Sequence, residues 1–304
     1  MFTKYVYLAG ITQADMMNDI VLLLTGTTDK ALLSASCDQA NTEILTTYAP
    51  AGWTLHDAAA GTNAKVIKAA CDGDAAQFKY VKISTAVAGQ IFTGLWHDWN
   101  ATSHVGTNLS ANSETSGYGQ RYSTTLAGTV YISASERQIT IWGTGPAGNG
   151  MSNYGGSMGG IWEGDRGFTW CDVGTSFTPV CFAAGSYVTM PRHMGPDGNL
   201  YTSGTAQGII VILGKWLNSN NAITPSGGIG IPMSSGFGTY VSSLMVCQNG
   251  ATTPTLSGFS NADLFAHWGS VGNTLDEVMY AGKQRIFLPV HDFGAGSKVL
   301  VPKG

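Results

Sequence analysis

The sequence predicts a mainly β protein: an antiparallel sandwich or barrel-like core with a short N-terminal helix and a few short C-terminal helices. Three observations carry that prediction. Charged residues make up 11% of the 304 positions, less than half of the roughly 25% found in ordinary soluble chains. Glycine occurs 41 times, about twice its usual share, and Ser, Thr and Asn fill the polar positions that charges normally hold. Finally, short runs of β-branched and aromatic residues alternate with polar ones at period two, between breaks rich in Gly, Asn and Pro. Residues 129–143 show this best. Val130, Ile132 and Ala134 alternate with Tyr131 and Ser133. After Ser135-Glu136-Arg137, Ile139 and Ile141 alternate with Gln138, Thr140 and Trp142. Two such runs around a short polar break predict an antiparallel hairpin.

In chain order, Lys4 to Leu8 reads as a strand. A helix follows, with Thr12 as its cap and Asp15 in its first turn. Met16, Met17, Ile20, Val21, Leu23 and Leu24 form its apolar face, and Gly26 is placed to end it in a left-handed conformation. So apolar a helix must dock, either on its own domain or on another subunit. Residues 31–48 are ambiguous between helix and strand. Strands are expected at 64–70 and 77–84 around the turn CDGDA, and another ends near Trp96. Residues 143–160 are so rich in glycine that no regular element is expected there. Further strands are expected at 178–182, 186–190, 208–213, 240–247 and 285–290, with a turn at 194–198. Ser260 is placed to cap a helix over 261–268. The capping-box pattern Thr274-Leu275-Asp276-Glu277 precedes a second helix over 278–281, with Gly282 as its stop. The chain divides into an N-terminal α+β docking region, residues 1–90, and a β-rich main domain with Gly-rich loops, residues 91–304.

The net charge is −4 and the 15 Lys and Arg are scattered without a basic stripe, which argues against nucleic acid as a partner. No apolar run approaches the roughly 20 residues of a membrane span, and no signal peptide is evident; folding in the cytoplasm is expected. The 5 cysteines are widely spaced with no CxxC pair, which indicates neither a zinc knuckle nor a thioredoxin-like site. Cys171 and Cys181 could pair across a hairpin; the alternative is buried free thiols.

Several residue sets invite chemistry, and each lacks the context that chemistry needs. Asp72 and Asp74 bracket Gly73 but do not supply the oxygen donors of a calcium loop. His97, Asp98 and His104 have loop spacing rather than the HExxH spacing of a helical zinc site; anchoring of that loop by Trp96 and Trp99 is the preferred reading. Gly155-Gly156-Ser157-Met158-Gly159 is formally a nucleophile elbow, but no apolar strand precedes it and the glycines after it oppose a helix. Asp165, Asp172 and His193 would be its candidate acid and base. Glu163 and Asp165 between Trp162 and Trp170 suggest a sugar site, yet Arg166 favours a structural ion pair. No catalytic, cofactor-binding or metal-binding residue is therefore assigned.

The apolar helix segment ITQADMMNDIVLLLTG, the strand FKYVKIS, the loop WHDWNATSHVGTN and the hairpin ISASERQITIWG followed by GGIWEGDRGF together resemble virion structural proteins of tailed bacteriophages, the kind found in tails, baseplates and capsid decorations. The resemblance runs from Lys4 to Phe168. It implies assembly into a particle, no cofactor and usually no catalysis. Cytoplasmic synthesis without a signal peptide, combined with the low charge and polar loops of extracellular β proteins, points the same way. The expected function is thus a non-enzymatic structural component of a virion. It would be a homo-oligomer that contacts other virion proteins, not nucleic acid or membrane, with the glycine loop turned to a neighbouring subunit. The alternative is a receptor- or glycan-binding module in which Trp96, Trp99, Trp162 and Trp170 stack on sugars. A hydrolase using Ser157, or a glycosidase using Glu163 and Asp165, is the third reading.

Overall fold

The computed structural model describes residues 1–45, 52–71, 74–112, 120–135 and 138–144, then 156–164, 167–172, 193–194, 200–201, 208–212, 240–243, 245–249, 255–259, 265–268, 275–289 and 297–303. Its elements are β1 (Phe2–Tyr7), α1 (Gln13–Leu24), a 3-10 turn (Lys30–Leu32), β2 (Glu43–Leu45), β3 (Thr54–Gly61), β4 (Ala64–Cys71), β5 (Asp74–Ser84), β6 (Gln90–Asn100), β7 (Val105–Asn112), β8 (Gln120–Arg121), β9 (Gly128–Ser135), β10 (Gln138–Thr144), β11 (Gly156–Gly164) and β12 (Gly167–Asp172). Ten short strands follow: β13 (His193–Met194), β14 (Leu200–Tyr201), β15 (Gly208–Ile212), β16 (Tyr240–Ser243), β17 (Met245–Asn249), β18 (Thr255–Phe259), β19 (Phe265–Trp268), β20 (Glu277–Tyr280), β21 (Lys283–Pro289) and β22 (Ser297–Pro302). The protein is mainly β, and α1 is the one α-helix among the described residues.

Two large antiparallel sheets organise the fold. The first has the order β12-β11-β10-β9-β1-β2, the second β3-β4-β5-β6-β7 with β8 also on β6. The expected hairpin is β9–β10, with Ile132 opposite Ile141 and Tyr131 opposite Trp142. One core joins both sheets to α1: Tyr5 and Tyr7 of β1, Val130 and Ile132 of β9, Ile139 and Ile141 of β10, Ile67 of β4, and Val81 and Ile83 of β5.

Helix α1 ends as its sequence dictates. The Thr12 hydroxyl accepts from the Asp15 amide at 3.0 Å. Gly26 takes φ +94°, and the Gly26 and Thr27 amides return to the Leu23 and Leu22 carbonyls at 3.1 Å each, closing a Schellman motif. The helix docks on its own domain, burying Met16, Met17, Ile20, Val21, Leu23 and Leu24 together with Asp19. Each apolar side chain contributes about 1.5–3 kcal/mol on burial, which together outweighs the several kcal/mol lost in desolvating one carboxylate. That loss is itself offset by donors. The Tyr5 hydroxyl reaches Asp19 Oδ2 at 2.5 Å, and the Ser34 amide and hydroxyl reach its two oxygens at 2.8 and 2.7 Å. Reciprocal bonds between Gln13 and Thr85, at 2.5 and 2.6 Å, tie the start of α1 to the end of β5. The Trp53 indole donates to the Ser135 carbonyl at 2.8 Å, joining the two sheets.

The other face of the first sheet is covered as well. Phe2, Tyr131 and Trp142 lie buried there, with ring centroids 6.3 and 5.3 Å apart. The Ser133 hydroxyl donates to the Pro302 carbonyl of β22 at 3.4 Å. β22 belongs to the C-terminal sheet β16-β19-β22-β21-β20. Burial on both faces accounts for buried but uncharged Thr3, Ser133 and Thr140 in these strands.

Three expectations need correction. The C-terminal helices are absent from the described residues of those segments: 265–268 and 277–280 are strands β19 and β20. Ala281 and Gly282 both have positive φ, +51° and +75°, the geometry of a two-residue hairpin turn. The glycine read as a helix stop therefore turns β20 into β21. The glycine-rich stretch does hold a regular element, β11, because ladders to β10 and β12 on both sides offset the conformational entropy of its glycines. And the expected boundary at residue 90 falls between strands that pair directly, β5 with β6, while β1 pairs with β9; the two regions share sheets and a core.

Gly128 sits under the Tyr7 hydroxyl, where an added Cβ would collide with the phenol. That hydroxyl accepts the Ser123 amide at 2.8 Å, and the ring packs edge-on to Tyr122 at 6.1 Å, so it has nowhere to retreat. Gly128→Ala is expected to cost about 1–3 kcal/mol of stability, read as a lower urea midpoint at unchanged slope. An unchanged midpoint would show that Tyr7 is not fixed in this way.

Candidate functional site

The most organised polar cluster among the described residues forms where the second sheet coils back on itself. It begins with a bulge in β3. Leu55 lies opposite Ile67 and Asp57 opposite Val66, so His56 is the extra residue. A bulge re-aims side chains; here His56 and Asp57 both serve the outer face of the sheet, away from the core. Along β5 the burial alternates: Lys79, Val81 and Ile83 are buried inward, while Phe78, Tyr80 and Lys82 are half-buried outward. Lys68 lies opposite Tyr80, and Tyr80 opposite Trp96.

The second half of the cluster comes from the β6–β7 corner. The Asn100 side-chain oxygen accepts the amides of Thr102 and Ser103 at 2.9 and 3.0 Å, which sets a tight turn. His104 leaves that turn with φ +58°, a left-handed conformation that few non-glycine residues adopt. Gly106 lies opposite Trp99 and makes room for the Trp96 indole, which would overlap a Cβ at that position. Trp96 and Trp99 pack edge to face at 5.2 Å.

These pieces meet at Asp57, which is only 3% exposed. His104 Nδ1 lies 2.9 Å from its Oδ2 and 3.1 Å from its Oδ1. The Trp99 indole donates to Oδ2 at 2.8 Å, and the Ala59 amide donates to Oδ1 at 2.8 Å. His56 Nε2 is 3.3 Å from the Trp99 carbonyl, and its ring is 4.9 Å from that of Tyr80. Since β3 begins the sheet order and β6 and β7 end it, side chains clasp the two ends of a coiled sheet. Burial alone would push the Asp57 carboxyl up. The hydrogen bonds from His104, Trp99 and Ala59, with the charge of a protonated His104, outweigh it and hold the carboxyl below the usual aspartate range.

Because a carboxylate only accepts, it is Nδ1 of His104 that donates a proton to Asp57. The imidazole side chain is 43% exposed. The arrangement therefore orients a histidine toward solvent. Among the described residues no group of three or more His, Cys, Asp or Glu is placed to hold a metal ion, and no helix is long and apolar enough to cross a membrane.

The structure separates most of the residues flagged in the sequence. His104 turns to Asp57, and Asp98 is exposed in β6; the His97 side chain lies outside the described residues. Trp96 is buried and Trp99 half-buried, each anchoring the corner. Ser157 lies within β11 opposite Gly143, in a strand ladder rather than a strand-to-helix elbow. Glu163 of β11 lies opposite Phe168, Asp172 ends β12 opposite Gly159, and His193 lies in β13. The side chains of these four residues and of Trp162, Trp170, Asp74 and Cys171 lie outside the described residues. So do Asp72, Asp165, Arg166, Cys181 and the expected strands at 178–182 and 186–190. The sequence reading missed His56 and Asp57. Their one local signal is a lone charge ahead of an alanine run, His-Asp-Ala-Ala-Ala-Gly; the partners lie 42 and 47 residues away. No protein-family model matches the chain, and no curated protein matches it.

Removing the carboxylate strands the indole N–H, an amide and the imidazole. Asp57→Ala is expected to cost about 1–3 kcal/mol, measured by urea unfolding at pH 7. The pH dependence has a definite sign. The folded-state carboxyl is held below its unfolded value, so its contribution is complete above pH ~4 and lost as pH falls through the lowered value. Wild type should lose more stability than Asp57→Asn between pH 5 and pH 2, on the order of 1 kcal/mol. Parallel pH profiles for the two proteins would refute this role.

Proposed function

We propose that the chain is a non-enzymatic structural component of a bacteriophage virion (tail, baseplate or decoration) that assembles with itself and with other virion proteins through broad subunit contacts. One observation carries the reading: its surface is built for contact. Charges are 11% of the sequence, and the described surface instead exposes Leu32, Leu126, Val105 and Met279 to 60%, 56%, 54% and 68%. Such a surface is cheap to desolvate, because few strongly hydrated groups must shed water on contact. The Asp57 cluster is compatible with it: both carboxylate oxygens are occupied by donors that fasten the sheet, so this buried acid holds the scaffold rather than serving as a free general base. The sequence resemblance supplies the particle to which such a scaffold would belong.

The purified chain is expected to sediment as a discrete homo-oligomer at micromolar concentration, and peptides from it should be recovered from purified phage particles by mass spectrometry. A protein that stays monomeric at hundreds of micromolar and is missing from particles would overturn the proposal.

A further inference from the structure

We infer that the end of the fold where α1 begins is a two-fold contact between two copies of this chain. The inference names one interface of the proposed self-assembly and rests on that reading. Three loops meet at this end: residues 8–12 between β1 and α1, residues 85–89 between β5 and β6, and residues 122–127 between β8 and β9. Hydrogen bonds tie them together at their bases. The Ser123 amide donates to the Tyr7 hydroxyl at 2.8 Å, the Tyr122 amide donates to the Gly89 carbonyl at 3.0 Å, and Gln13 and Thr85 bond reciprocally. Within the third loop the Ser123 hydroxyl accepts the Leu126 amide at 2.9 Å. The tips are open: residues 8–10, 86–88 and 125–127 are all exposed, with Leu8 at 44% and Val87 at 46%. Loops already fixed in this way lose little entropy when a partner covers them.

Charge identifies the occupant. No Asp, Glu, Lys, Arg or His occurs in any of the three loops. The other large apolar residues exposed among the described ones, Leu32, Leu55, Val105, Leu275 and Met279, each lie within two residues of such a side chain. A two-fold contact sets a surface against itself, so a charge near its axis meets its own image. A face without charge escapes that repulsion and is complementary to its own copy. A strongly charged partner would instead lose hydration against groups that offer it no countercharge. A lipid surface also takes apolar loop tips, but it selects Trp, Tyr, Lys and Arg around them. The exposed tips here hold Leu, Val, Ala, Gly and Thr alone. A standard interface engages roughly 20–30 residues a side; three short tips make a smaller and weaker contact, one that loosens on dilution.

The test is sedimentation velocity of the full chain from micromolar to hundreds of micromolar. Val87→Asp, Leu126→Asp and, as a control away from these loops, Met279→Asp are compared with wild type, each confirmed folded by its thermal melt. Flotation with phosphatidylcholine vesicles runs in parallel. Val87→Asp and Leu126→Asp bring like charges face to face and should each shift self-association to about tenfold higher concentration, while Met279→Asp follows wild type. The inference fails, with self-assembly intact, if either loop variant associates like wild type or if Met279→Asp weakens association equally. Flotation of wild type that the loop variants lose would assign the surface to lipid and overturn the inference as well. A wild type that stays monomeric throughout contradicts the assembly reading on which the inference rests.

Discussion

The Asp57 carboxylate is the interaction on which the second sheet depends. A strand order from β3 to β7 would by itself leave two open edges. Donors from His104, Trp99 and Ala59 converge on one buried acid, and the sheet is thereby held in a coil. The backbone was prepared for this at both ends. The bulge at His56 turns the carboxylate outward from the core, and the left-handed backbone at His104 turns the imidazole back toward it. Strain of this kind persists only where surrounding contacts over-determine it; here the capped turn at Asn100 and the carboxylate do so together.

Asp19 plays the matching part inside the core. Its carboxylate is shared by β1 through Tyr5 and by the segment after the 3-10 turn through Ser34. With α1 so fixed, one hydrophobic core spans both sheets, and the outer face of the second sheet rests on a rigid support. The fold thus uses two buried carboxylates, Asp19 and Asp57, as internal fasteners.

Local chemistry was legible in the sequence, and long-range chemistry was not. Thr12 and Gly26 announced both ends of α1, and the alternation around Val130 and Ile141 announced the β9–β10 hairpin, because caps and period-two burial are decided within a few residues. The glycines of 156–164 hid a strand, since the ladders that stabilise it come from other segments. Glu277 to Gly282 mimicked a capped helix because glycine follows helices and hairpin strands alike; only the positive φ of Ala281 distinguishes the two. The loop around Trp96, Trp99 and His104 stood out as anchored, but nothing near it in sequence points to Asp57. That pairing exists only once β3 is bulged and the sheet has coiled.

The exchange rate of the Trp99 indole N–H, followed by NMR in deuterated buffer at pH 7, tests the clasp most directly. Bonded to the Asp57 carboxylate at 2.8 Å, that proton should exchange orders of magnitude more slowly than a free indole, at a rate set by opening of the sheet. Exchange at the free-indole rate in a protein that is otherwise folded would contradict the account.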